Sequence, residues 1–194
     1  MHAPAVELGA ALREHAYLEG DFVLRSGRRS RWYLDKYRFE TRPDLLGPLG
    51  LAIARAVARH EPQATRLAGP ELGAVALAAS ASLASGLPFL IVRVRAKGYG
   101  TRNRIEGVFE RGERVCLVED VVTSGGAAAA AVEALREAGL ACETAVCVVD
   151  REEGAEAALA AKFVRLVPLF RASELTKPEK SAAIRLVDRN PGGC

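Results

Sequence analysis

The chain has 194 residues, 27 Lys plus Arg against 24 Asp plus Glu for a formal net charge of +3, and 49% hydrophobic residues. That length and balance fit one packed domain with a sizeable core and exclude disordered and fibrous classes. A pI near 8.8 in so balanced a chain is a weak electrostatic footprint, which turns the reading from nucleic acid toward small-molecule chemistry.

In chain order, a helix is expected over residues 6–17, then two short strands, DFVLRS and SRWYLDK, around the turn Gly27-Arg28-Arg29. Together they form a small hood over residues 1–40. After Pro43, Leu45, Leu49, Ile53 and Val57 recur every four positions and mark the buried face of a helix that Pro43-Asp44 can begin. Residues 72–92 carry no charge and are long enough to span a bilayer. Their Ala and Ser content, and the break at Gly86 and Pro88 before FLIV, fit a buried helix, a turn and a buried strand instead.

From residue 66 onward, apolar strands alternate with helices: strands near 66–68, 89–94, 114–118 and 144–149, and helices after Pro70 and over 123–138. Such alternation means an α/β fold, a central mainly parallel sheet covered by helices on both faces. Residues 95–113 hold Gly98, Gly100, Gly107 and several basic side chains with little apolar periodicity, and read as a mobile functional loop. The tail adds a helix at 155–161, a strand at 164–169 and a last helix after Pro178. The whole, 1–194, reads as one domain, hood 1–40 and core 41–194.

Cys116, Cys142, Cys147 and Cys194 form no CxxC pair, and two lie in apolar runs, so buried reduced thiols are expected. His2, His15 and His60 have no metal-ligand spacing. No leader pattern of basic, apolar and small residues opens the chain, so a cytoplasmic location is expected, with neither membrane nor nucleic acid as partner.

The most informative segment is VCLVEDVVTSGGAAAAAVEALREAG, residues 115–139. An apolar strand delivers Glu119 and Asp120 at its C-terminal end, where open α/β sheets bind ligands. Thr123, Ser124, Gly125 and Gly126 follow, and an Ala-rich helix begins. The glycines let the backbone approach a phosphate, while the helix start and the hydroxyls supply donors; Thr and Ser also serve as helix caps. Two acids beside a phosphate cradle would repel the phosphate unless they faced ribose hydroxyls or a hydrated divalent cation. Neither GxxxxGK[ST] nor GxGxxG occurs, so a phosphorylated ribose fits better than a nucleoside triphosphate.

VEDVVTSGG resembles the phosphoribosyl-diphosphate (PRPP) signature of the type I phosphoribosyltransferases. FVLRSGRRSRWYLDKYRF, AGPELGAVALA, VRVRAKGYGTRNRIEG and VVDREEG occur in the order and spacing of orotate phosphoribosyltransferase, over about residues 20–155. The resemblance implies transfer of the phosphoribosyl group of PRPP to orotate, giving orotidine 5′-monophosphate and pyrophosphate in pyrimidine synthesis. It also implies a homodimer with shared active sites, and Mg²⁺ bound mainly through PRPP with no fixed protein ligands.

The same resemblance assigns roles to residues. Glu119 and Asp120 meet the ribose hydroxyls, and Val121, Val122, Thr123, Ser124, Gly125, Gly126 and Ala127 wrap the 5′-phosphate, Thr123 also approaching orotate. Lys97 matches the catalytic-loop lysine that comes from the neighbouring subunit, and Arg93 matches a PRPP-binding arginine. Arg25 falls where many members have a lysine near PRPP. Arg151 matches the arginine that holds orotate, its planar guanidinium suiting a carboxylate. Trp32 and Tyr33 fall where an aromatic pair lies by the pyrimidine. Tyr99 replaces a common loop histidine and offers only a phenolic hydrogen bond at that PRPP-binding position. Gly73 and Val94 stand where some members place lysines. Two alternatives stay open at this point, transfer to another base and a non-catalytic PRPP-sensing regulator.

Overall fold

In the computed structural model of the chain, the described residues are 5–23, 27, 29–93 and 104–176. Helix α1 (Ala5–Ala16) buries Leu8 and Leu12 and leads directly into an antiparallel hairpin, β1 (Tyr17–Val23) with β2 (Arg29–Leu34). The first strand begins at Tyr17 rather than residue 21, because the Tyr17 ring stacks on Trp32 across the hairpin with centroids 5.8 Å apart. Cross-strand aromatic pairs of this kind favour the extended chain over another helical turn.

A short helix absent from the sequence expectation, α2 (Tyr37–Glu40), buries Phe39 completely and turns the chain into α3 (Pro43–His60). The four-residue stripe of α3 behaves as its spacing predicts: Leu45, Leu49, Ile53 and Val57 are all buried. Helix α4 (Gly73–Ser85) crosses α3 closely. A Cβ on Gly50 would lie 2.1 Å from Ser80 Oγ, whose hydroxyl donates to the Leu46 carbonyl at 2.9 Å.

The central sheet has six strands, β3 (Arg66–Pro70), β4 (Phe89–Val92), β5 (Ile105–Glu106), β6 (Arg114–Val122), β7 (Ala141–Asp150) and β8 (Arg165–Arg171), in the order β5-β4-β3-β6-β7-β8. All pairings are parallel except β4 with β5. Helices α1, α3 and α4 pack on one face around Cys116, Val118 and Val146. Helices α5 (Gly126–Glu137) and α6 (Ala155–Ala160) cover the other, around Val115, Leu117 and Ala145. A last described helix, α7 (Ala172–Thr176), closes the tail. Strand order reverses between β3 and β6, and a crevice forms at such a switch point beyond the C-terminal strand ends.

Three further boundaries differ from the sequence expectation. The edge strand β5 occupies part of the expected 95–113 loop, anchored by the buried Ile105 side chain. Strand β6 continues to Val122, past both carboxylates, because its parallel pairing with β7 runs on to Val122 and Asp150. Helix α5 starts at Gly126 rather than 123, so neither Thr123 nor Ser124 is its cap; the cap is Gly125, with no side-chain bond. The helix expected after Pro178 lies outside the described residues. Cys116, Cys142 and Cys147 are free and buried, and burial raises all three thiols far from reactivity. No described helix is long and apolar enough to cross a membrane.

Candidate active site

The C-terminal ends of β3, β4, β6 and β7 converge on the crevice, and β6 brings the densest chemistry. Successive strand side chains point to opposite faces, so Glu119 and Asp120 lie on different sides of the sheet. Both are buried. Glu119 Oε1 accepts no hydrogen bond among the described residues. Burial first, and then the charge on Asp120, push the Glu119 carboxyl up to about 8.

Asp120 faces α2 and α4, where it meets a partner 84 residues away in sequence: Lys36 Nζ donates to Asp120 Oδ2 at 2.6 Å. The other carboxylate oxygen accepts from its neighbour's backbone, Val121 N. Glu40, on α2, closes the group. Its Oε1 accepts no hydrogen bond among the described residues, and burial followed by the Asp120 charge pushes it up to about 8 against the opposing pull of Lys36. Burial works against the Lys36 charge, but the bond to Asp120 prevails and its pKa is raised. Burial thus favours the neutral form of both glutamates, while Lys36 and Asp120 form the ion pair of the cluster. Gly73 makes room for it: a Cβ there would lie 1.9 Å from Asp120 Oδ2 and 2.8 Å from both Glu40 Oε1 and Lys36 Nζ.

After β6 the chain turns through exposed Thr123 and Ser124 to Gly125, which has φ +80° and sits against α6, a Cβ there falling 3.0 Å from Ala155 Cα. Position 125 thus requires glycine on both conformational and steric grounds. With no side-chain cap, the first N–H groups of α5 keep their donors for another acceptor. Exposed Gly126 and Ala127 leave that approach open. Val121 and Val122 turn their side chains into apolar clusters, so any ligand contact there is through the backbone.

The turn is tied to the loop after β7. Arg151 N donates to the Val122 carbonyl at 2.9 Å, and Ala155 N to the Thr123 carbonyl at 3.1 Å. Arg151 has a buried side chain whose guanidinium lies 4.5 Å above the Trp32 ring, ion-paired to Glu153 at 3.2 Å. Its Nε has no hydrogen-bond partner among the described residues. A cation held over an indole face with a donor to spare is ready to take an anionic, planar ligand.

The structure therefore brings together Glu119, Asp120, residues 121–127, Arg151 and Trp32. It does not bring Tyr33 alongside Trp32, because adjacent strand residues face opposite ways; the Tyr33 ring instead meets Phe22 at 5.5 Å. Arg93 follows β4, ion-paired to Glu71 at 3.7 Å, with Nε buried and lacking a hydrogen-bond partner among the described residues. Arg25, Lys97 and Tyr99 lie outside the described residues. Sequence reasoning missed Lys36 and Glu40: a contact spanning 84 positions leaves no mark in local periodicity. Among the described residues no group of three or more His, Cys, Asp or Glu side chains could hold a metal ion.

Comparison with known proteins shows the family of the chain. The model of the phosphoribosyl transferase domain matches residues 52–168. The orotate phosphoribosyltransferase of Methanocella arvoryzae is 52% identical over 157 residues, 80% of this chain and 87% of that protein. The chain belongs to the orotate phosphoribosyltransferase family. Among solved members of that family, the enzyme from Aeropyrum pernix has a TM-score of 0.77 and 35% identity, covering 87% of this chain and 95% of its own. The Mycobacterium tuberculosis orotate phosphoribosyltransferase in complex with 5-phospho-α-D-ribosyl 1-diphosphate has a TM-score of 0.73 and 28% identity, covering 88% of this chain and 98% of its own.

Proposed function

We propose that the protein joins orotate N1 to C1 of the PRPP ribose, with inversion at that carbon, releasing pyrophosphate and forming orotidine 5′-monophosphate. The observation that carries this reading is the pairing of two half-sites across adjacent strand ends. At the end of β6, two carboxyl groups and an uncapped helix start suit a phosphoribose; at the end of β7, a buried guanidinium over Trp32 suits a planar carboxylate. Family membership supplies the reaction that unites them.

In this reading Asp120 and Glu119 accept from the ribose hydroxyls, and the N–H groups of residues 123–127 receive the 5′-phosphate. Arg151 binds the orotate carboxylate and places N1 toward C1. The transition state resembles an oxocarbenium ion, so the protein's task is to align reactants and stabilise the leaving diphosphate rather than to attack. Arg93 and Lys97 serve the diphosphate, Lys97 from the neighbouring subunit of a homodimer, with Arg25 and Tyr99 near PRPP.

Helix α4 supports a second copy: it holds no charged residue, and Leu72 and Leu83 stand exposed beside it and on it. Mg²⁺ would be brought by PRPP, since Lys36 already holds Asp120 and among the described residues no group of three or more His, Cys, Asp or Glu side chains could hold a metal ion. When bound, Mg²⁺ neutralises charge on the departing diphosphate. The reaction belongs to pyrimidine synthesis, and we place it in the cytoplasm.

The test is loss of orotate absorbance with purified protein, PRPP and Mg²⁺. Metal-dependent consumption of orotate, with none of adenine, is the expected result. Measurable PRPP binding without orotate consumption would overturn the reading.

A further inference from the structure

The space beside Gly73 is filled by side chains from elsewhere. A Cβ at position 73 would collide with Asp120, Glu40 and Lys36 together, so the missing side chain is what lets an ammonium from the hood reach the end of β6. The α2 segment that delivers it is anchored by the wholly buried Phe39 ring, independently of the ion pair. The Lys36 side chain is one-third exposed and lies at the crevice, over the Tyr37 ring at 5.4 Å.

Glu40 and Asp120 meet at that gap, and among the described residues Lys36 is the cation there, bonded to Asp120 and close enough for its charge to act on Glu40. Asp120 is gripped at both oxygens, by Lys36 and by Val121 N, which fixes its rotation. Each carboxylate oxygen still has lone-pair capacity for a hydroxyl donor.

We propose that Lys36 is a positioning residue for PRPP: its ammonium, entering through the gap at Gly73, holds the Asp120 carboxylate in the orientation that receives the ribose hydroxyls. The proposal rests on the reading that Asp120 meets the ribose. Lys36 acts through Asp120 and makes no bond to the diphosphate. Without it, Asp120 turns toward its acidic neighbours and the ribose contact loses its geometry.

Calorimetric titrations with PRPP, ribose 5-phosphate, pyrophosphate and orotate test this. For Lys36→Met, the dissociation constants of PRPP and ribose 5-phosphate should rise about 10- to 100-fold, the range for losing a charge-assisted hydrogen bond. Those of pyrophosphate and orotate should stay unchanged. Lys36→Arg should recover most of the loss, because a donor cation returns to Asp120. Gly73→Ala keeps every charge but pushes a methyl group into the pair, and should reproduce the Lys36→Met pattern; it carries the test if Lys36→Met does not fold. Normal ribose 5-phosphate binding by Lys36→Met, or a loss confined to pyrophosphate, would overturn the proposal. Asp120→Asn separates the two levels: if it binds ribose 5-phosphate normally, the ribose reading itself fails, whereas loss in Asp120→Asn with none in Lys36→Met removes the positioning role alone.

Discussion

At the N-terminal edge of the sheet, Glu61 is buried with both carboxylate oxygens taken: Thr144 Oγ1 donates at 2.7 Å and Arg114 Nη1 at 3.3 Å, and Arg114 also reaches Glu143 at 2.7 Å. At the C-terminal edge of the same sheet, Glu119 and Glu40 are buried just as deeply, yet each has an oxygen with no hydrogen bond among the described residues and a carboxyl raised to about 8. Both edges bury acids. What separates these glutamates is satisfaction: Glu61 has a full set of partners and braces the scaffold, whereas Glu40 and Glu119 each keep an oxygen without a donor among the described residues.

Changes at the two edges should therefore split activity from stability. The largest effect is expected for Lys97→Ala, with kcat down about 10²- to 10³-fold, as for loss of one preorganised charge donor in the transition state. Its melting temperature should stay near that of the parent chain. Full turnover in that variant would remove the catalytic-loop assignment.

Next in size is Arg151→Ala, for which the dissociation constant of orotate should rise about 10- to 100-fold. PRPP should bind nearly as before, by calorimetry. Equal damage to both ligands would mean that Arg151 supports the turn after β6 rather than the base.

Glu61→Ala should act in the opposite sense. Leaving Thr144 and Arg114 without their acceptor costs about 1–3 kcal/mol in denaturant unfolding. Turnover of the folded fraction should be that of the parent, and a specific fall in kcat would break the contrast between the edges.

A smaller effect is expected from pH. Glu40 faces Lys36, Asp120 and Asp35, and Glu119 faces Asp120 and Lys36. As pH rises through about 8 these glutamates ionise and place negative charge beside the phosphates of PRPP, so KM for PRPP should climb on the alkaline side. Their folded pKa values lie above the unfolded ones, so the stability they contribute is full below about 4.5 and is lost as pH rises through about 8. Glu40→Gln and Glu119→Gln should each flatten both alkaline trends; an unaltered KM profile in the double variant would assign the titration elsewhere.

Much of this architecture was legible in the sequence, for physical reasons that also explain the gaps. The α3 stripe and the parallel strands were readable because burial of whole faces imposes a period. The phosphate turn was readable because strand, acids, glycines and helix follow one another without interruption. Glu119 and Asp120 look like the edge of an apolar run and suggest an earlier end for β6, while the pairing with β7 carries the strand past them. The short α2 is too brief for any period to show, and with it went Lys36 and Glu40. Trp32 and Tyr33 look like a pair in sequence, but strand alternation sends one to Arg151 and the other to Phe22.

The most direct test of the two half-sites is a crossed titration of Asp120→Asn and Arg151→Ala, each with PRPP and with orotate. Asp120→Asn should lose PRPP and keep orotate, and Arg151→Ala should lose orotate and keep PRPP. Parallel losses of both ligands in both variants would contradict a site divided between the ends of β6 and β7.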